Sequence, residues 1–270
     1  MTLNQLINKS VYGTIGYISS QDDLDLLEQY IVYNLPVLKE FKQIVVATNY
    51  GISNWHDLQK QRKKNFELWR KYFPECVLID SRVNRGHNFG TADLDNLIFD
   101  WCKENNEEWL CKSANDIIFQ ESILNKQIEK ADFYYLMGIG YGGMIPYNFD
   151  FNEIIDKEFY PQTNFYFINV LKIDYLNNKQ YLDETFHQTQ NIPNYNGKIW
   201  EYIKGWSCEE FLKQCVERNN LLKYHLIPLE KYRILLQTIK NYNIHDCSHK
   251  NIMVEGICHF QFNNQQIIEI

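Results

Sequence analysis

The sequence predicts an α/β fold built on a mostly parallel sheet flanked by helices, and three observations carry that expectation. Short apolar runs alternate with amphipathic helical stretches through the first half of the 270 residues, a rhythm that requires crossover connections. The runs are nearly continuous in hydrophobicity, as strands buried on both faces are. Each run ends in a polar cluster, and an open sheet of this kind takes its ligand outside the carboxyl ends of its strands.

The elements follow in order. Val11 to Ile18 is the first strand, closed by Ser19-Ser20. A helix then carries Leu24, Leu27, Tyr30 and Ile31 on one stripe, with Ser20 and Asp23 spaced for a capping box. Ile44 to Ala47 is a buried strand ending in Thr48-Asn49. The next helix buries Trp55, Leu58, Phe66, Trp69 and Phe73, and its basic run Arg62-Lys63-Lys64 reads as a solvated face. Cys76 to Ile79 is the third strand, ending in Asp80-Ser81-Arg82. Leu94, Leu97, Ile98, Trp101 and Cys102 form a helical seam. Glu108 to Cys111 starts a fourth strand and Phe133 to Met137 a fifth.

From about residue 145 the rhythm breaks. An apolar strand at Phe165 to Val170 leads into a polar loop through about Lys198, a helix at Ser207 to Arg218 and a strand at Tyr224 to Ile227. Without repeats or low-complexity linkers, one domain spanning 1–270 is expected, with about 10–145 and about 146–270 as its two halves.

Composition narrows the function classes. Lys+Arg 27 against Asp+Glu 34 gives a net charge of −7 and no basic stripe, which argues against a nucleic acid partner. Mean hydropathy is −0.44, and no apolar run approaches the roughly 18 residues of a membrane span. The first ten residues lack the apolar stretch and cleavage site of a secretory signal. Seven scattered cysteines among core-type residues suit a reduced, cytoplasmic protein. Peripheral association with a membrane surface stays compatible with all of this.

Two stretches carry the chemistry. Asn84-Arg85-Gly86-His87-Asn88-Phe89-Gly90-Thr91 opens a helix. Its two glycines let backbone approach a ligand, and a helix N-terminus favours anions. Arg82, Arg85 and His87 would add donors to a diphosphate; a plain strand-to-helix loop is the bland alternative. In Trp109 to Phe119 a strand runs through Lys112 into the polar knot Ser113-Ala114-Asn115-Asp116 and then resumes apolar. Asp116 can ligate a divalent cation with Asn115 and Ser113 as weaker oxygen donors, or serve simply as a turn residue.

The order of elements and these two stretches resemble the GT-A glycosyltransferase fold, in particular the inverting family 2-like group. Asn84, Gly86 and Gly90 match that family's Asn-any-Gly loop before a helix. Ser113-Ala114-Asn115-Asp116 sits where its Asp-any-Asp signature belongs, with both signature carboxylates missing and only the adjacent Asp116 acidic. The resemblance covers roughly residues 10 to 145 and implies that about 10–145 is a nucleotide-sugar-binding half and about 146–270 an acceptor-side half. It implies a nucleotide-sugar donor and a glycan or other hydroxyl acceptor, with Mn2+ or Mg2+ held by Asp116 and by a C-terminal histidine, His245. It also implies donor contacts from Ser19, Ser20, Thr48 and Asn49 at the first two strand ends. Asn84, Arg85, Gly86, His87, Lys112 and Asn115 join them.

An inverting transferase needs a carboxylate base beside the acceptor hydroxyl. The family keeps it in an acidic pair opening a late helix, which Gly205-Trp206-Ser207-Cys208-Glu209-Glu210 matches. Ser207 and Glu210 fit a capping box, which leaves Glu209 as the base; Asp183 and Glu184 are weaker alternatives on a loop. Zinc binding by His245-Asp246-Cys247-Ser248-His249 with Cys258-His259 is a rival reading, although the spacing fits no finger. Gly138-Ile139-Gly140-Tyr141-Gly142-Gly143 formally satisfies a dinucleotide fingerprint, but no helix pattern follows it. It reads better as an acceptor-side loop, where Tyr141, Tyr147 and Trp206 could stack on sugars. The weakened signature also motivates a non-catalytic nucleotide-sugar or glycan-binding protein on the same fold. A nucleotidyltransferase comes third, because Ser19-Ser20-Gln21-Asp22 is not the Gly-rich loop it needs after the first strand.

Overall fold

Alternation along β1 (Ser10–Ile15) decides how the molecule is layered. Tyr12 faces a core shared with α2 (Gln21–Leu38) and α3 (Trp55–Tyr72). Val11 faces the opposite core, beneath α4 (His87–Glu104). The same split holds in β2 (Gln43–Asn49), where Ile44 and Val46 go one way and Val45 and Ala47 the other, as strand periodicity requires. This is a computed structural model, which describes residues 1–16, 18, 20–49, 55–137, 161–192, 208–228, 230–231, 234, 251–259 and 267–269.

β3 (Val77–Ser81), β4 (Trp109–Ser113), β6 (Phe133–Met137), β7 (Pro161–Asn169) and β8 (Lys223–His225) complete a seven-stranded sheet in the order β3-β2-β1-β4-β7-β6-β8. Four of its pairings are parallel. β7 runs antiparallel to β4 and to β6, so the start of β7 lies at the carboxyl end of β4. The expected mixed α/β sheet flanked by helices is therefore present. No helix among the described residues is long and apolar enough to cross a membrane.

Helix α4 lies close against β1 because Gly13 has no side chain. A Cβ there would meet Ile98 at 2.7 Å and Leu110 at 2.8 Å. That contact fixes the height of α4 over the sheet and so the position of its first turn. The loop before α5 (Lys179–Thr189) is tied to α4 by a reciprocal pair: Asn96 donates to the Asn177 carbonyl at 3.1 Å and accepts from its N–H at 2.9 Å. α6 (Cys208–Arg218) packs Leu212, Cys215 and Val216 into the α4-side core.

Several expectations change. β1 stops at Ile15 rather than Ile18. A short helix α1 (Leu3–Ile7) precedes it, opened by a Thr2–Gln5 capping box. The polar loop expected through Lys198 contains α5, whose buried Leu182, Thr185 and Thr189 mark its inner face; two threonines in that stripe conceal it from a hydrophobicity pattern. The apolar run after Asp116, β5 (Ile117–Phe119), does not rejoin the main sheet. It pairs with β10 (Ile257–His259) in a second sheet with β9 (Asn251–Val254) and β11 (Ile267–Glu269). The side chain of Asn34 on α2 bonds to β5 backbone at Ile117 and Phe119, satisfying polar groups that burial would otherwise leave costly.

Candidate functional site

Parallel pairing brings the ends of β1, β2 and β4 to one edge, and α4 begins above it. Asn84 and Gly86 shape the turn into α4. The Asn84 side-chain oxygen accepts from the Gly86 N–H at 3.0 Å. Gly86 is the N-cap at φ 85°, a left-handed conformation that favours glycine. Its carbonyl accepts the Gly90 N–H at 2.8 Å. Between this turn and the ends of β1 and β2 lies a cavity of about 430 Å³ walled by Ile15, Gly16, Asn49, Asn84, Gly86, Gly90, Thr91 and Leu94. Glycines on both sides keep it open: a Cβ at Gly90 would lie 2.9 Å from the Asn49 amide nitrogen.

Among the described residues the wall carries no charged side chain. The polar groups these residues bring are two carboxamides and a hydroxyl, with Ile15 and Leu94 as apolar faces. Asn49 is 7% exposed, and no described residue hydrogen-bonds its side chain. A buried carboxamide in that state is a donor and an acceptor awaiting a ligand or water. Thr48, which precedes it, turns the other way and donates to the Gly16 carbonyl at 2.6 Å, holding the end of β2 to the chain beyond β1.

Asn84, Gly86 and Asn49 are thus brought together as expected. Other expected donor contacts have different partners. Ser20 caps α2, accepting from Asp23 N–H at 3.1 Å. Arg85 is held by Asp93 through two hydrogen bonds and by Asp183 at 2.7 Å. The Asp93 carboxylate chiefly keeps its guanidinium protonated, with Asp183 adding to it. Asp183 and Glu184 lie on α5, not a loop, and Glu184 accepts from Gln180. Arg85 therefore fastens α4 to α5. Lys112 points into the core beneath α4, 3.3 Å from Asp95, and donates to the Thr163 carbonyl at 3.2 Å. That burial corrects its expected place as a donor-phosphate contact.

Asn115 arches over the end of β1. Its carboxamide oxygen accepts from Thr14 at 2.7 Å, and its nitrogen lies 2.6 Å from where a Cβ on Gly16 would stand. Asp116 is half-buried and is not part of the cavity wall. Burial pushes the Tyr30 phenol well up and the Cys258 thiol up to about 12, and the Asp116 charge adds to both. Those partners place the carboxylate on the α2 side of the sheet. The Ser113 hydroxyl is buried and turned to the Ala114 carbonyl. Of the three oxygen donors expected for a divalent cation, Ser113 and Asn115 have protein partners and Asp116 lies on the α2 side of the sheet, while His245, the histidine expected to complete the set, lies outside the described residues. No group of three or more metal-ligating side chains occurs among the described residues.

On the acceptor side, Glu209 opens α6 half-buried and accepts a 2.9 Å hydrogen bond from the Thr163 hydroxyl. Glu210 accepts from Gln214 one turn on. Ser19, His245 and the cluster to His249, Ser207, Trp206, Gly138 to Gly143 and Tyr147 lie outside the described residues, as do the side chains of His87, Cys208 and His259. Sequence reasoning missed Asp95 and Thr163. A lone acid on a helical seam and a threonine entering a strand carry no motif, and only the packing joins them to Lys112 and Glu209.

No protein-family model matches the chain, and no curated protein matches it. Among solved structures, a nucleoside-diphosphate-sugar pyrophosphorylase from Vibrio cholerae RC9 is similar at a TM-score of 0.40 and 11% identity. The match covers 84% of this chain and 99% of that one.

Proposed function

We propose that this chain is a nucleotide-sugar-dependent glycosyltransferase of GT-A type that inverts the anomeric centre. The observation that supports it most is the cavity at the ends of β1 and β2, with the Asn49 carboxamide buried in its wall and unbonded by described residues. A wall whose described residues are uncharged and include an amide-type donor and acceptor suits the planar edge of a nucleobase better than a phosphate. The adjoining N-terminus of α4, the positive end of its helix dipole, suits the diphosphate.

In the proposed reaction the acceptor hydroxyl attacks the anomeric carbon from the face opposite the diphosphate. The new bond joins the acceptor oxygen to that carbon as its bond to the phosphate oxygen breaks. Glu209 takes the hydroxyl proton, and the leaving diphosphate carries its negative charge to the first turn of α4.

The test is incubation with a panel of nucleotide sugars and simple glycan acceptors, with Mn2+ and separately with chelator, following release of nucleoside diphosphate. Turnover of one donor with loss in Glu209→Gln supports the proposal. No turnover of any donor, together with no thermal shift from any nucleoside diphosphate, removes it. A second reading, a non-catalytic nucleotide-sugar-binding protein, is favoured by the orientation of Asp116 and by the engaged Ser113 and Asn115. It predicts a thermal shift without turnover.

A further inference from the structure

We propose that Thr163 is a positioning residue for Glu209, and that Lys112, anchored on Asp95, sets this carboxylate relative to the glycine turn of α4. The inference rests on the reading of Glu209 as the base and adds the device that holds it.

The line is continuous and crosses four elements. Asp95 belongs to α4, the helix whose first turn walls the cavity. Lys112, on β4, stands 3.3 Å from it and donates to the Thr163 carbonyl at 3.2 Å. Thr163, on β7, donates its hydroxyl to Glu209 Oε1 at 2.9 Å. Asp95 is 4% exposed and Lys112 2%. A buried pair of this kind is costly to desolvate, and apolar residues of equal volume commonly serve stability as well or better. Here the ammonium spends a donor on the one backbone carbonyl whose residue orients Glu209.

The hydrogen bond has a directional consequence. With Oε1 held, the carboxylate cannot spin about its last torsion, and Oε2 remains to receive a proton. The hydroxyl of Thr163 donates to Oε1 and fixes the plane of the carboxylate.

The experiment compares Thr163→Val, which keeps the shape and removes the donor, with Thr163→Ser, which returns it. Expected for Thr163→Val is a roughly tenfold fall in kcat with the donor KM within about twofold. Thr163→Ser should recover kcat. In parallel, 13C NMR of glutamate-labelled protein at one pH, with the Glu209 carboxyl signal assigned by its loss in Glu209→Gln, should show that signal displaced in Thr163→Val and returned in Thr163→Ser, without any need for turnover. Wild-type kcat in Thr163→Val, beside an inactive Glu209→Gln, overturns the positioning role alone. Full turnover in Glu209→Gln overturns the base and its positioning together. If the wild type turns over no donor, the proposed function falls, and an unmoved Glu209 signal in Thr163→Val overturns this inference separately.

Discussion

Lys112 and Asp95 face each other across 3.3 Å beneath α4, each almost sealed from water. Burial is the main force raising the Asp95 carboxyl, and Lys112 opposes it. An acid raised in the folded state costs stability as pH climbs through its folded value, because the unfolded chain gives up the proton more readily. Removing Lys112 removes the opposition. Lys112→Met should therefore lose about 3 kcal/mol near neutral pH and less in mild acid, while Lys112→Met with Asp95→Leu should recover most of it. Urea unfolding at two pH values checks this; an equal loss at both would contradict it.

His225 sets a second pH dependence. Its ring meets Tyr135 edge-on at 5.1 Å, and its Nδ1 lies against the Ile227 carbonyl. Burial pulls the imidazole down from 6.5 to about 4, with Lys126 adding to the fall and the Ile227 carbonyl opposing it. A base depressed on folding gives stability that is whole above its unfolded value and fades as pH drops towards the folded one. The fold should weaken by about 2 kcal/mol between pH 6.5 and pH 4 on this account. His225→Gln should flatten that slope in chemical denaturation across the same window.

Gly90 separates stability from binding. It is helical, where alanine is favoured by about 1 kcal/mol, yet its Cβ would lie 2.9 Å from the Asn49 amide and 3.4 Å from the Asn84 oxygen. Gly90→Ala should leave the melting temperature near wild type while pushing Asn49 into the cavity. Calorimetry should then show a loss of roughly tenfold or more in nucleoside diphosphate affinity. Unchanged affinity would mean that the ligand does not enter this cavity.

Arg85 should behave in the opposite way. Its guanidinium joins Asp93 and Asp183 and stands over the rings of Phe89 and Phe186. Arg85→Ala should cost about 2 kcal/mol of stability and leave nucleotide affinity within about twofold of wild type. A large loss of affinity in a well-folded variant would return Arg85 to the diphosphate.

Much of this was legible in the chain. Tyr12, Ile44 and Leu110 betray buried strands because both their faces must avoid water, and Ser20 with Asp23 marks the start of α2 because orphan N–H groups need acceptors. Asn84-any-Gly86 marks a turn that only glycine enters cheaply at φ 85°. These are local constraints, and each is written within a few residues. What eluded the pattern depends on partners distant in sequence. Asp116 reads as a ligand until β5 is seen leaving for a second sheet, which turns the carboxylate towards Tyr30 and Cys258.

The sequence by itself determined the strands of the seven-stranded sheet, most of the helices, the parallel core and the glycine turn at the head of α4, since periodicity and backbone sterics act over short spans. Only the tertiary structure decided which charged groups face a ligand. Arg85 and Lys112 look equally free in the sequence. Their carboxylate partners are supplied by neighbouring turns and by elements up to 98 residues away, and a buried charge takes the nearest opposite charge that packing offers.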